Sequence, residues 1–427
     1  MATIQIDPRN FIAAPYIPCP NCGTENFGVL SVGPYRVTRR CRHCMKVGFE
    51  SLPELNKKVV YLDQFVISNM TKALNPQAPG HEKARQNPNW IEMYKLLDVL
   101  VRGQVLVCPH FENHRTESMY SRFYPALKWL YDYLSGGVEL LGSEQTKRNQ
   151  LAEAARAWVE RREPAFDTPA NRSLHGSLNA WIDRLRITTK GQYPDDIDDL
   201  RKVREQGHSN LIKIFERWQT EKNRRFEDWH EEERREFGKA YIGIYHDWVR
   251  SYVRVSLGHD PFSLQATWPP EAVTTINLLA DLLNRHGVPE QESLSRAIEF
   301  IGSDAPLEIP YLRISAALWA TIAMKAALGQ KTPPNQGTFA DVNAVATVLP
   351  VCDAIVIDDK CAALLRDIPK KYRPNYPARV FSTQNIPKFI EYLRQLKDSI
   401  SESHIQQLRK VYGDNWDQPN LKLFTNQ

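Results

Sequence analysis

Two hydrophobic periods alternate along this chain. In VVYLDQFVIS a continuous apolar run carries one carboxylate, the pattern of a parallel strand buried on both faces and ending at Asp63. PNWIEMYKLLDVLV then has helical spacing, QVLVCPH reads as a second short strand, and FENHRTESMYSRFYPALKWLYDYL returns to helical spacing. From about Leu141 to Ile301 the spacing is helical throughout, clearest in EEERREFGKAYIGIYHDWVRSYVRV. Towards the end ISAALWATIAMKAALG is helical, FADVNAVATVLPVCD opens with an acid and continues as a short helix, and AIVIDDKCAALLRD and ARVFSTQNIPKFIEYLRQL each read as strand into helix. The rhythm predicts one α/β domain in two halves, residues 58–125 and 336–397. A mainly helical insertion, residues 126–335, separates them, and residues 398–427 form a C-terminal helix and tail.

Residues 1–52 follow a different pattern. CPNC and CRHC are separated by eighteen residues, inside the spacing window of a four-cysteine zinc ribbon, so Cys19, Cys22, Cys41 and Cys44 are expected to hold one structural Zn²⁺. Between them FGVLSVGPYRVTRR alternates like a hairpin around a Gly-Pro turn. A segment this small has too little core to stand without its metal. His43 sits inside the second knuckle, where four thiolates already close the tetrahedron. Arg36, Arg39, Arg40, Arg42 and Lys46 place five cations in eleven residues beside Tyr35. They point either to contact with nucleic-acid phosphates or to a solvated, metal-stapled cap.

The remaining cysteines, Cys108, Cys352 and Cys361, lie in apolar runs where a buried thiol is ordinary. Cysteine usage and an opening segment without the pattern of a secretory signal lead to the expectation of a cytoplasmic protein. No apolar run is long enough for a membrane span, so no membrane partner is expected. The net charge of +5 is mildly favourable for a polyanion and decides nothing alone.

Carboxylates carry the chemistry. Asp63 stands at the end of the first strand, Glu117 a helical turn beyond the second, Asp358 and Asp359 just past AIVI, and Asp341 at the start of a helix. In parallel sheets the carboxyl ends of strands converge on one crevice, so acids far apart in sequence can meet there. Several carboxylates in one crevice repel unless a cation neutralises them, and hard oxygen donors favour Mg²⁺ or Mn²⁺, whose commonest work is on phosphates. Asp353 follows PVC at the starting end of its strand and is a weak candidate. His110, Glu112 and His114 lie near Glu117. His114 can share a helical face with it, either moving a proton or only bonding a neighbouring carboxylate. The aspartates of TKGQYPDDIDDL, Asp195, Asp196, Asp198 and Asp199, lack the glycine and terminal glutamate of a calcium loop and read as charges at a helix N-terminus.

VVYLDQFVIS, the Glu117 segment and FADVNAVATVLPVCDAIVIDDKCAALL resemble the sequence blocks of PIN-domain nucleases over residues 58–125 and 336–397. The family's order of acids maps onto Asp63, Glu117, Asp341 and Asp359, eighteen positions separating the last two, with Asp358 as the open alternative. The resemblance implies a PIN-like parallel sheet flanked by helices. It also implies an endonuclease, more often on RNA than on DNA, in which the acids hold Mg²⁺ or Mn²⁺ and no covalent nucleophile is needed. Family analogy adds the roles of a toxin or defence effector restrained by a protein partner. The competing reading is a nucleic-acid-binding or assembly protein that keeps the fold without turnover. The zinc ribbon, the long insertion and Gln64, in place of a small polar residue, depart from the family pattern.

Overall fold

The computed structural model describes residues 7–119, 121, 124–166, 172–183, 197–259 and 268–419. The chain opens with an antiparallel sheet in the order β1 (Ala13–Ile17), β2 (Phe27–Val32), β3 (Arg36–Cys41) and β4 (Val47–Ser51). Burial alternates strictly along β3, so Val37, Arg39 and Cys41 face inward and Arg36, Thr38 and Arg40 outward. Gly28 is required where strands crowd, because a Cβ there would lie 2.5 Å from the Tyr16 ring.

A strand, β5 (Lys58–Leu62), follows, and at Asp63 the chain turns into helix α1 (Gln64–Leu74). The second half of VVYLDQFVIS is therefore helix. Asp63 takes an extended N-cap conformation and its carboxylate accepts the Gln64 N–H, while Val66, Ile67, Met70 and Ala73 bury one side. Helices α2 (His81–Arg85) and α3 (Asn89–Arg102) lead to β6 (Leu106–Val107), then α4 (Glu112–Met119) and α5 (Tyr124–Ser135).

The region expected to be a helical insertion contains a two-stranded ribbon, β7 (Glu139–Leu140) with β8 (Leu174–His175), among long helices. These are α6 (Ser143–Glu160), α7 (Ile197–Thr220), α8 (Phe226–Ser256), α9 (Glu271–Arg285), α10 (Glu290–Gly302) and α11 (Pro310–Ala327). Asp195 and Asp196 lie outside the described residues, and Asp198 and Asp199 stand at the described start of α7. The α/β rhythm then resumes with α12 (Thr338–Val348), β9 (Ala354–Val356), α13 (Asp359–Asp367), β10 (Arg379–Phe381) and α14 (Ile386–Asp398), and α15 (Glu402–Tyr412) follows.

The four strands of the second sheet are parallel, in the order β10, β9, β5, β6, which joins the two halves of the α/β domain at the β5–β9 pair. Side chains alternate across it. Val60, Leu62 and Val356 bury with α1, α3, α5 and α14 on one side. Val59, Tyr61, Ile355 and Ile357 bury with residues of α6 to α12 on the other. The insertion is thus half of the sheet's packing: Trp218, Trp229, Leu279 and Ala317 belong to the same buried cluster as Val59 and Tyr61.

Val29, Val32 and Val37 of the antiparallel sheet pack with Val99 near the end of α3 and with Leu408 and Val411 of α15. Since α3 finishes just before β6 begins, this contact lies at the starting end of the parallel strands. Among the described residues no helix is long and apolar enough to cross a membrane.

Candidate active site

The strand order reverses between β5 and β9. From β5 the chain passes to β6 on one side, and from β9 to β10 on the other, so a crevice opens above the finishing ends of β5 and β9. The Asp63 N–H donates to the Val356 carbonyl at 2.9 Å and holds the two ends together. Asp63, Glu117 and Asp341 line a narrow cleft of about 10 Å³ there, with Tyr61, Asn113 and Cys361. A larger hollow of about 410 Å³ between α6 and α9 is lined by Arg148, Arg285 and leucines, with Asp281 its one acid.

Each acid is delivered by a helix start or a short helix. Asp341 sits in the first turn of α12. Asn113 of α4 donates to the Ala340 carbonyl at 2.8 Å, which ties the helix carrying Glu117 to the start of α12. Asp358 caps α13, accepting the Cys361 N–H at 2.7 Å. The result is crowding of like charge. Burial and the neighbouring charge of Glu117, with a smaller push from Asp358, raise the Asp63 carboxyl to about 7 against the backbone N–H groups that favour its anion. Burial and the carboxylates Asp341, Asp358 and Asp63 likewise raise the Cys361 thiol.

Asp341, Asp358 and Cys361 each offer a donor atom, and these atoms lie within 4.8 Å of one another. Such a triangle can hold one cation, with Asp63 and Glu117 on the same cleft.

Asp359 faces elsewhere. Its carboxylate accepts from the Thr383 hydroxyl and from the Gln384 N–H at 3.1 Å, joining α13 to the turn after β10. Burial opposes ionisation there, but these bonds and one from Ser382 outweigh it and hold the group below its ordinary value. Of the neighbouring pair, Asp358 is therefore the acid beside Asp341. Asp353 is at the opposite end of β9, where it accepts from Lys58 Nζ and the Val59 N–H, both at 2.8 Å.

His114 is 1% exposed and stacked between Tyr61 and Tyr131, with ring centroids 5.1 and 4.5 Å away. The Phe111 N–H donates to its Nδ1 at 3.3 Å, and burial, then His110, pushes its basicity well down, leaving a neutral packing residue. Glu112 accepts the Ser143 N–H at 2.8 Å and belongs to the start of α6. Gln64 accepts from the Tyr131 and Ser118 hydroxyls behind the cleft, so the larger amide clamps α1 to α4 and α5.

The cysteine cluster has another geometry. Cys19 Sγ lies 3.6 Å from Cys44 Sγ, and Cys22 Sγ 3.7 Å from Cys41 Sγ. Thiolates about 2.3 Å from a central ion at tetrahedral corners stand about 3.8 Å apart, so the spacing fits zinc. Backbone N–H groups of Asn21 and His43 reach the sulfurs of Cys19 and Cys41 at 3.4 and 3.3 Å.

The five nearby cations do not act together. Arg39 is 2% exposed, donates to the Pro15 and Lys410 carbonyls at 3.1 and 2.6 Å and pairs with Glu50, so it is an internal tie and corrects the expectation of a phosphate contact. Arg42 bonds the Ile12 carbonyl at 2.8 Å and covers Tyr16, and Arg40 is partly buried. Arg36, over the Phe49 ring, and Lys46 are exposed.

Sequence reasoning missed Cys361, Asn113 and the clamping role of Gln64. A thiol three positions after Asp358 at a helix start was the available signal. No protein-family model, no curated protein and no solved structure matches the chain.

Proposed function

We propose that this chain is a divalent-metal-dependent phosphodiesterase of PIN-like design, acting as an endonuclease on RNA, with its centre at Asp63, Glu117, Asp341 and Asp358. The supporting observation is the gathering of carboxylates from distant segments at the switch point of the parallel sheet, where burial and then the charge of Glu117 lift Asp63 to about 7. A bound Mg²⁺ or Mn²⁺ supplies charge neutralisation for the scissile phosphate and acidifies an attacking water. Asp341 and Asp358 hold and orient that ion. Asp63 and Glu117 complete the negative field and position the water, while Asn113 fixes the helix that bears Glu117. The neutral imidazole of His114 packs behind Tyr61 and takes no proton. We read the four-cysteine cluster as a structural zinc site and the location as cytoplasmic.

The test is cleavage of a mixed cellular RNA pool with Mg²⁺, Mn²⁺ or chelator, with new ends mapped by sequencing. Asp63→Asn and Asp358→Asn are each expected to lose at least about 100-fold in rate, and Asp359→Asn, whose carboxylate faces Thr383, to keep most of it. RNA binding without cleavage under any metal would replace this reading with that of a non-catalytic binding protein.

A further inference from the structure

Cys361 is out of place for an inert core thiol. It is 5% exposed and lines the acid cleft, and among the described residues its Sγ has no hydrogen-bond partner. Its donor atom lies within 4.8 Å of carboxylate oxygens of both Asp341 and Asp358. The placement follows from the fold: Asp358 caps α13 and receives the Cys361 N–H, which brings the third residue of the helix beneath the cap and beside the first turn of α12. Cys108, buried just past the end of β6, is not among the residues that line the cleft. Two hard oxygens and one soft sulfur therefore converge on a point that one ion can occupy.

Resting on the phosphodiesterase reading, we propose that Cys361 is a direct ligand of the cleft cation, making a two-carboxylate, one-thiolate centre that prefers Mn²⁺ to Mg²⁺. As the sulfur–metal bond forms, the S–H bond breaks and its proton passes to solvent. Magnesium demands near-octahedral oxygen coordination and gains little from sulfur, whereas Mn²⁺ accepts mixed donors and binds a given site more tightly. The thiolate thus sets which ion works, and the carboxylates set that one binds at all.

The experiment uses the zinc-loaded full chain and two readouts, Mn²⁺ affinity from the loss of free-ion paramagnetic resonance and RNA cleavage rates in Mn²⁺ and Mg²⁺. Cys361→Ser and Cys361→Ala are expected to weaken Mn²⁺ binding by about 10-fold or more and to lower the Mn²⁺:Mg²⁺ rate ratio by a similar factor. Asp359→Asn should change neither. Unaltered Mn²⁺ affinity and rate ratio in both folded variants would overturn the proposal. If neither variant folds, wild-type protein with its zinc content unchanged is titrated with Co²⁺. Sulfur-to-cobalt charge-transfer absorption from a further equivalent supports the ligand, and a purely oxygen-ligated spectrum rejects it. A wild type that binds Mn²⁺ through Cys361 but cuts no RNA would remove the nuclease reading and leave this one standing.

Discussion

The cysteine cluster and the acid cleft both gather side chains that could hold a metal ion, by opposite means. The first draws four thiols from two knuckles close in sequence, and sulfur separations of 3.6 and 3.7 Å already match a closed tetrahedron. The second draws donors from residues 63, 117, 341, 358 and 361, leaves a cleft beside them and keeps its carboxylates in mutual repulsion. A closed site gains folding energy from its ion. An open one that buries acids side by side costs stability while their charges stay unneutralised.

Removing a ligand from the closed site should have the largest effect. Cys22→Ser is expected to release zinc, cost much of the roughly 10–16 kcal/mol typical of structural zinc binding, and expose residues 7–52 to protease. Zinc content near one per chain by elemental analysis would break the comparison. The cleft should respond with the opposite sign. Because the folded state holds the Asp63 proton up to about pH 7, while an unfolded chain releases it near 4, metal-free stability should fall as pH rises through that window. Asp63→Asn removes this slope and should raise the metal-free melting temperature at pH 8 by a few degrees, read by calorimetry against the wild type at pH 5 and pH 8. Identical pH profiles would show the acids to be less crowded than described. A further contrast lies on the antiparallel sheet itself: Arg39→Ala should cost about 1–3 kcal/mol in urea unfolding by leaving the Pro15 and Lys410 carbonyls unpaired, while Glu50 keeps its pair with Lys410, and Arg36→Ala should stay within about 0.5.

Much of this was legible in the sequence because it is local. The C-x-x-C spacing needs no tertiary information, and an aspartate inside an apolar run marks a strand end wherever the strand lies. What was misread depends on direction. The strand ends at Asp63 as read, but Val66 and Ile67 beyond it suit either period over so short a run, and the cap at Asp63 decides for helix. Asp358 and Asp359 are adjacent, yet one caps the helix over the cleft and the other bonds Thr383 behind it. Arg39 shares its strand face with Val37 and Cys41, so strict alternation could have assigned it inward. Nothing local says that α11 should cover a sheet whose strands flank it by many residues, nor that Cys361 should meet two acids.

The β5–β9 pair joins Val60 to Ala354, residues separated by 294 positions. On a translating ribosome adding about 5–20 residues per second, roughly 15–60 s pass between the synthesis of the two partners. The four cysteines of residues 19–44 can come together within that interval, whereas the acid cleft has no second wall until Asp341 and Asp358 emerge. A nascent chain of this protein is therefore without its acid centre for most of its synthesis.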